Sequence, residues 1–416
     1  MKTASVFIAA ACSALFGAGS SRASAQAAHP PPHPAINPVK VDEAIERGAK
    51  FLLGKIPGGF SDIGHPLTKT LTHEELVLYT LIYGGIDLNH PEYIKLFNQI
   101  MSKPPRRTYG AALRAMALEA LDREKFQAGI AECAQYLVDM QCENGQWGYG
   151  KDMEKSPITW TPDPAKPVTF SAGGNSSAAP AGGGGGAVTG HDNPAGKSGT
   201  GTKAMKRVAI TKRGTGDKHG DNSNSQYALL GLRACLDAGI AIPADVLPKA
   251  AIWWIKDQKA DPKNPKIEGG WGYSQRSQPG NRPEPYGPMV CGGVSSVAIA
   301  LGYMRQPWKN HTAVLAGLAW LDRNFSVTAI PEYSGEYKWL YYYLYSLERA
   351  GVLTQNDKIG AHDWYKEGAE FILAHQKPDG SWDDGGDNVA GPIPDTCYAI
   401  LFLRRATKPL AKVYTH

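Results

Sequence analysis

Three stretches of this 416-residue chain are versions of one phrase. They are Tyr136-Leu137-Val138-Asp139-Met140-Gln141 leading to Gly145-Gln146-Trp147, Trp254-Ile255-Lys256-Asp257-Gln258 leading to Gly269-Gly270-Trp271, and Phe371-Ile372-Leu373-Ala374-His375-Gln376 leading to Gly380-Ser381-Trp382. Each has an aromatic-aliphatic pair, then a glutamine, a short loop, and glycine just before tryptophan. A recurring unit of this kind is one supersecondary element that cannot bury its apolar face alone and stacks on its own copies.

Hydrophobic periodicity between and around the copies predicts six helical pairs. The first helix of each pair spans about 41–53, 91–102, 125–141, 244–257, 311–324 and 362–375. These are amphipathic: in the third, Phe126, Ile130, Ala134, Leu137 and Met140 share helical spacing, while Glu132, Gln135 and Asp139 lie elsewhere on the helix. The second helix spans about 73–83, 108–121, 222–238, 292–304, 336–350 and 395–406. It is apolar nearly all round, as in 109–121 and 294–303, and such a helix must be enclosed by others. Tyr83-Gly84-Gly85-Ile86, Ala238-Gly239-Ile240 and Ala350-Gly351-Val352 read as left-handed glycine caps ending second helices. Alternating amphipathic and apolar helices in six pairs predict an all-α fold, a closed (α/α)6 toroid of two concentric rings with the apolar helices inside. An open helical solenoid is the alternative.

The first 25 residues read as a signal peptide: Lys2, a largely apolar run from Val6 to Phe16, and the small-x-small site Ala23-Ser24-Ala25. The expected location is therefore outside the cytoplasm, periplasmic or extracellular. Residues 26–40 form a Pro-rich leader, and the toroid occupies 41–410. Within it, 161–216 is Gly-, Ala-, Ser- and Pro-rich, includes Gly182-Gly183-Gly184-Gly185-Gly186, and is expected to be a disordered insertion. Its glycines lack the lysine and preceding strand of a phosphate loop. The basic run 203–218 reads as a solvated loop. The net charge of +5 includes Lys2 and Arg22, so it gives no case for nucleic acid. No later stretch is apolar enough to span a membrane. Past the leader, Cys133, Cys142, Cys235, Cys291 and Cys397 are odd in number and irregularly spaced, which is not a disulfide framework.

The repeated phrase resembles the QW motif of the squalene-hopene and oxidosqualene cyclases, a superfamily that includes the protein prenyltransferase β subunits. Lys366, Gly368, Phe371, Ile372, Gln376, Gly380 and Trp382 match it, as do Lys249, Ala250, Trp254, Ile255, Gln258, Gly270 and Trp271 with a longer loop. Arg47, Gly48, Phe51, Leu52, Gly59 and Phe60 look like a degenerate copy. The resemblance covers most of 41–406. It implies that Gln141, Gln258, Gln376, Trp147, Trp271 and Trp382 brace the fold, the glutamines bonding helix-end backbone groups.

The resemblance also points to one end of the inner barrel. Cyclases of the hopene type carry Asp-x-Asp-Asp-Thr there, with an acid that protonates an alkene. Here Pro392-Ile393-Pro394-Asp395-Thr396 keeps only the last Asp-Thr, so Asp395 is the candidate catalytic acid of a degenerate motif. Asp395-Thr396-Cys397-Tyr398 also resembles a His-Thr-Cys-Tyr zinc segment of the prenyltransferases. Too few converging ligands accompany it, so no metal and no cofactor are assigned. Asp383, Asp384 and Asp387 read as a solvated turn rather than a calcium loop.

Candidate ligand-binding residues at second-helix starts are His73, Glu74, Asp221, Gln226 and Glu336. To these we add Tyr337, Tyr341 and Tyr345, a stripe at i, i+4 and i+8 suited to a carbocation or a sugar face. Taken singly, Asn222, Ser223 and Asp395 read as helix caps. Three functions stay open: an exported toroid that binds a hydrophobic or glycan ligand, or a protein partner, at the barrel mouth; an isoprenoid cyclase with Asp395 as acid; and a polysaccharide-acting enzyme, which needs paired carboxylates such as Glu74 with Glu336 or Asp221.

Overall fold

The computed structural model describes residues 33–59, 73–152, 206–260, 268–274, 284–333, 339–384 and 391–410. The signal segment, residues 161–205 of the predicted insertion, Phe60, Glu336, Tyr337 and Asp387 lie outside them, as does the side chain of His73. Among the described residues the chain is mostly helical, with twelve α-helices packed together. In order these are α1 (Pro38–Lys55), α2 (His73–Tyr83), α3 (Pro91–Met101), α4 (Thr108–Asp122), α5 (Gln127–Asp139), α6 (Asn222–Asp237), α7 (Val246–Asp257), α8 (Gly287–Tyr303), α9 (Thr312–Arg323), α10 (Leu340–Thr354), α11 (Trp364–Ala374) and α12 (Pro392–Arg404).

Local chemistry sets many of the boundaries. Proline takes the first helical position of α1, α3 and α12, where its fixed φ suits the helix and its missing N–H is not needed. Asn37 caps α1 by accepting from Val39 N at 3.0 Å, and Asp363 caps α11 by accepting from Lys366 N at 2.9 Å. The glycine caps hold for Gly85 and Gly239, both at positive φ. Gly351 is different: α10 runs past it to Thr354, and Gln355 takes the left-handed position. Gly351 is small because the Trp364 indole lies where a Cβ would be.

The even-numbered helices pack in sequence, α2 on α4, α4 on α6, α6 on α8, α8 on α10, α10 on α12, and α12 back on α2. They are the buried ones. Every residue of α8 from Gly287 to Gly302 is buried, as is every residue of α4 from Thr108 to Ala120. The odd-numbered helices lie against them: α1 on α12 and α2, α3 on α2, α5 on α4 and α6, α7 and α9 on α8, α11 on α10 and α12.

The predicted polar face of α5 is not solvated, for Gly129 to Asp139 are all buried. Residues 206–216, expected to be the end of a disordered insertion, cross it instead. Thr211 O accepts from Gln135 Nε2 at 2.9 Å, and Asp139 Oδ1 accepts from Arg213 N at 2.6 Å and Gly214 N at 3.0 Å. Ile210 is buried, and strand β1 (Val208–Ala209) pairs in parallel with β2 (Ile240–Ala241). The basic stretch is therefore not a free loop between 206 and 216. Its backbone supplies the partners that the polar side chains of α5 need.

The three repeats behave alike. Trp147 Nε1 donates to Leu137 O, Trp271 Nε1 to Trp254 O and Trp382 Nε1 to Ile372 O, each at 2.7 Å. Each glutamine amide donates to the glycine carbonyl of its own loop and to a carbonyl of the next odd-numbered helix. Gln141 reaches Val246 O at 2.9 Å, Gln258 reaches Ala313 O at 2.8 Å, and Gln376 reaches Ala44 O at 2.8 Å. The last of these joins α11 to α1, across 332 residues of sequence.

The segment after α12 lies across the C-terminal ends of the even-numbered helices. Lys408 O accepts from Arg233 Nη1 of α6 at 3.1 Å, while Lys408 Nζ pairs with Glu119 of α4. Thr407 donates from N at 3.1 Å and from Oγ1 at 2.6 Å to Glu348 of α10. The opposite, N-terminal ends remain as the place for chemistry.

Candidate functional site

The N-terminal ends of α4, α6, α10 and α12 come together. Tyr109 of α4 bonds Ser223 of α6, Ser223 Oγ lies 3.1 Å from Tyr342 OH of α10, and Gln226 Nε2 donates to the same Tyr342 OH at 2.6 Å. Gln226 Oε1 in turn accepts from Arg349 Nη2 at 3.0 Å. One hydrogen-bonded chain thus runs from the helix starts inward. Aromatic rings stand along it: Tyr109 and Tyr227 have centroids 4.2 Å apart, Tyr342 and Tyr398 5.5 Å, Tyr345 and Tyr398 6.0 Å.

Asp395 occupies one side of this end. It does not cap α12, contrary to one sequence expectation. The helix begins at Pro392 with Gly391 as N-cap, because two prolines tolerate the first turn, and this places Asp395 inside the helix. Its carboxylate is only 1% exposed; Oδ2 accepts from Asp384 N at 3.1 Å, and Oδ1 has no partner among the described residues. Burial, with Asp384 and Asp383 beside it, pushes the carboxyl well above the usual carboxylate range. The cyclase motif supplies its neighbouring carboxylates along the helix, whereas here they come from the loop after Trp382. Ligand oxygens of Asp383, Asp384 and Asp395 all lie within 4.8 Å of one another. Asp384 Oδ2 accepts from Leu340 N at 3.3 Å, and Lys377 Nζ pairs with Asp383 at 2.6 Å. Asp383 and Asp384 are thus already engaged, by the Lys377 ammonium and by the Leu340 amide. The cluster carries no metal assignment. Cys397, two residues along the helix, is buried with its thiol pushed up to about 12, the wrong direction for a thiolate ligand.

The other candidates divide. Tyr341 is buried beside the acidic cluster, and burial, followed by the charges of that cluster, raises its phenol. Tyr345 packs on Tyr398, and Gln226 belongs to the interior chain, so these residues do meet. Asp221 is the N-cap of α6 in place of Asn222 or Ser223, accepting from Asn224 N at 2.8 Å; burial pushes it up to about 6. Glu74 accepts from Gln99 of α3 at 2.9 Å, which turns it toward an odd-numbered helix and away from the interior chain. Pairings with Glu336 lie outside the described residues.

Sequence reasoning put Tyr109, Tyr227, Tyr342, Tyr398 and Arg349 on interior helices but singled out none of them as a site residue, Arg349 above all. One signal was available: Tyr342, Tyr345, Ser346 and Arg349 stand at i, i+3, i+4 and i+7, one face of a helix that is otherwise enclosed. A charge on such a face has to sit inside. No family model matches the chain, and no match to it is found among the curated proteins. The repeat and the geometry of this end carry the functional reading between them.

Proposed function

We propose that this chain is an exported, closed (α/α)6 toroid, similar in plan to the squalene cyclases and prenyltransferase β subunits, that binds an apolar or aromatic ligand in its barrel. Two observations support closure: the even-numbered helices pack in a cycle that returns from α12 to α2, and Gln376 joins α11 to α1. The ligand reading rests on one observation, the Asp395 carboxyl. It is buried beside Tyr341 at the N-terminal end of the barrel, does not cap its helix, and leaves Oδ1 without a partner among the described residues. A carboxyl held neutral donates a hydrogen bond to a polar atom of a ligand, and tyrosine faces receive the ligand's body.

A second reading, an active cyclase with Asp395 as acid, has the neighbouring carboxylates in its favour, since Asp383 and Asp384 replace in space what the helix lacks in sequence. The same carboxylates weigh against alkene protonation. Losing the proton would leave a buried anion beside two others, and what raises the carboxyl also makes it a reluctant donor. Incubating purified protein with linear polyprenes, measuring binding and analysing products, decides the matter. Binding without cyclised product is expected, for wild type and Asp395→Asn alike. Cyclised product from wild type only would establish the second reading, and absence of any binding would remove the first.

A further inference from the structure

Among the described residues three arginines stand buried on the even-numbered helices, and two of them have a carboxylate partner. Arg114 of α4 pairs with Glu75 of α2 at 3.6 Å and donates to Lys103 O at 2.7 Å. Arg233 of α6 pairs with Asp237 at 3.7 Å and donates to Lys408 O at 3.1 Å. Arg349 of α10 is as deeply buried, with no exposed surface, and has no ion pair among the described residues. Its Nη2 donates to Gln226 Oε1 at 3.0 Å and Ser346 Oγ at 2.7 Å, both neutral acceptors. Nε and Nη1 have no hydrogen-bond partner among the described residues, and neither has the Tyr345 hydroxyl beside them. Glu348, the preceding residue, accepts from Thr407 with both oxygens and makes no direct ion pair with Arg349 among the described residues, though the two charges attract across the helix.

A guanidinium is always charged, and burying an unpaired charge is costly. The Tyr345 and Tyr227 rings, 4.4 and 5.1 Å from its central carbon, offset part of that cost through their faces. The Tyr227 hydroxyl interacts with the guanidinium as well, yet neither Nε nor Nη1 has a hydrogen bond of good geometry. The surroundings hold the group in place. Gln226 fits only because α8 has Gly292 opposite, where a Cβ would stand 2.8 Å from the glutamine amide.

We propose that Arg349, with Tyr345, receives one oxyanion, a carboxylate or phosphate group, inside the barrel. This rests on the reading that the barrel interior is the ligand site, and it names the ligand class: an amphiphile with an anionic end. Asp384 bridges Leu340 N and Asp395, and Tyr341 lies beside them, so Asp395 stands level with the start of α10, and Arg349 is further along that helix. At about 1.5 Å per residue, over the eight residues from Tyr341, the two polar points are separated by roughly 12 Å along the barrel. Asp395 then faces the apolar body or its far end, while the anionic end goes inward.

Calorimetry on the full chain with dodecanoate, dodecanol and inorganic phosphate tests this, on wild type, Arg349→Met and Arg349→Lys. Wild type should bind dodecanoate at least tenfold more tightly than dodecanol. Arg349→Met should lose that preference and Arg349→Lys should keep part of it. Phosphate that displaces dodecanoate from wild type would support the oxyanion site and identify free anion as a second source. Equal binding of dodecanoate and dodecanol overturns the proposal while leaving an apolar barrel ligand standing. Binding of neither, in a protein that binds polyprenes, overturns it as well. The wild-type comparison decides even if Arg349→Met does not fold.

Discussion

Glu348 is a carboxylate whose place in the fold makes it sensitive to pH near neutrality. Burial pushes it up to about 7 from an ordinary 4.5, against the lowering effect of its two bonds from Thr407. A raised folded value means that the unfolded chain gives up this proton first. The contribution to stability is complete below about 4.5 and is lost as the pH rises through about 7. Thermal unfolding should therefore show Glu348→Gln losing less stability than wild type between pH 5 and pH 8; parallel curves would refute the assignment. Asp395 has the same sign. Asp395→Asn should hold or raise the melting temperature at pH 8, since it removes a buried acid that is costly to ionise. A loss beyond about 2 kcal/mol there would mean that the carboxylate is held as a stabilised anion, which is what a cap would do. Asp395 was legible in the sequence through its motif, but its neighbours were not. Asp383 and Asp384 reach it across a loop, and spacing along a chain carries no information about which loop folds back on which helix. Arg349 escaped for a related reason: periodicity assigned its helix to the interior without saying which face looks at α6.

At the scale of the element, each repeat is a brace with two jobs. The tryptophan ties its loop to its own helix, and the glutamine ties the loop to the next odd-numbered helix. Trp382 is fully buried, and Gly48 of α1 is small because the indole stands 2.7 Å from where its Cβ would be. Trp382→Ala should cost roughly 3–5 kcal/mol in denaturant unfolding, the range for emptying a large buried aromatic site. Gln376→Ala should cost less, about 1–3 kcal/mol, because it leaves Ala44 O and Gly380 O without this donor. If Gln376→Ala proved the more damaging of the two, the brace would lie in the amide and not in indole packing. Most helices were readable from the sequence within a few residues, because two faces of unequal polarity and a fixed repeat leave little choice of period. The exceptions have physical causes. α8 starts at Gly287 rather than 292 because Pro288 suits a first turn. α5 is covered where its pattern says exposed, because a backbone segment far along the chain meets its polar side chains.

On the scale of the whole molecule, closure and an open stack predict different dynamics. In an open stack each unit touches only its neighbours, so the terminal pairs have one partner fewer and fray first. In a closed ring no pair is terminal. Here α12 packs on α2, Gln376 reaches Ala44, and Arg404 of α12 pairs with Asp42 of α1 at 2.6 Å, so the first pair has partners on both sides. Native-state hydrogen exchange reads the difference directly, since local opening energies range from near zero at frayed ends to the full unfolding energy in the core. Under closure, amides in the middle of α2 and α12 should exchange within about tenfold of those in α6 and α8, a difference of ~1.4 kcal/mol. Gln376→Ala should then speed exchange in α1 and α11 together, because it loosens the contact between them. Exchange in α2 and α12 a thousandfold faster than in α6, with Gln376→Ala affecting α11 alone, would mean that the ends open independently. The ring would then be a stack whose ends happen to lie side by side.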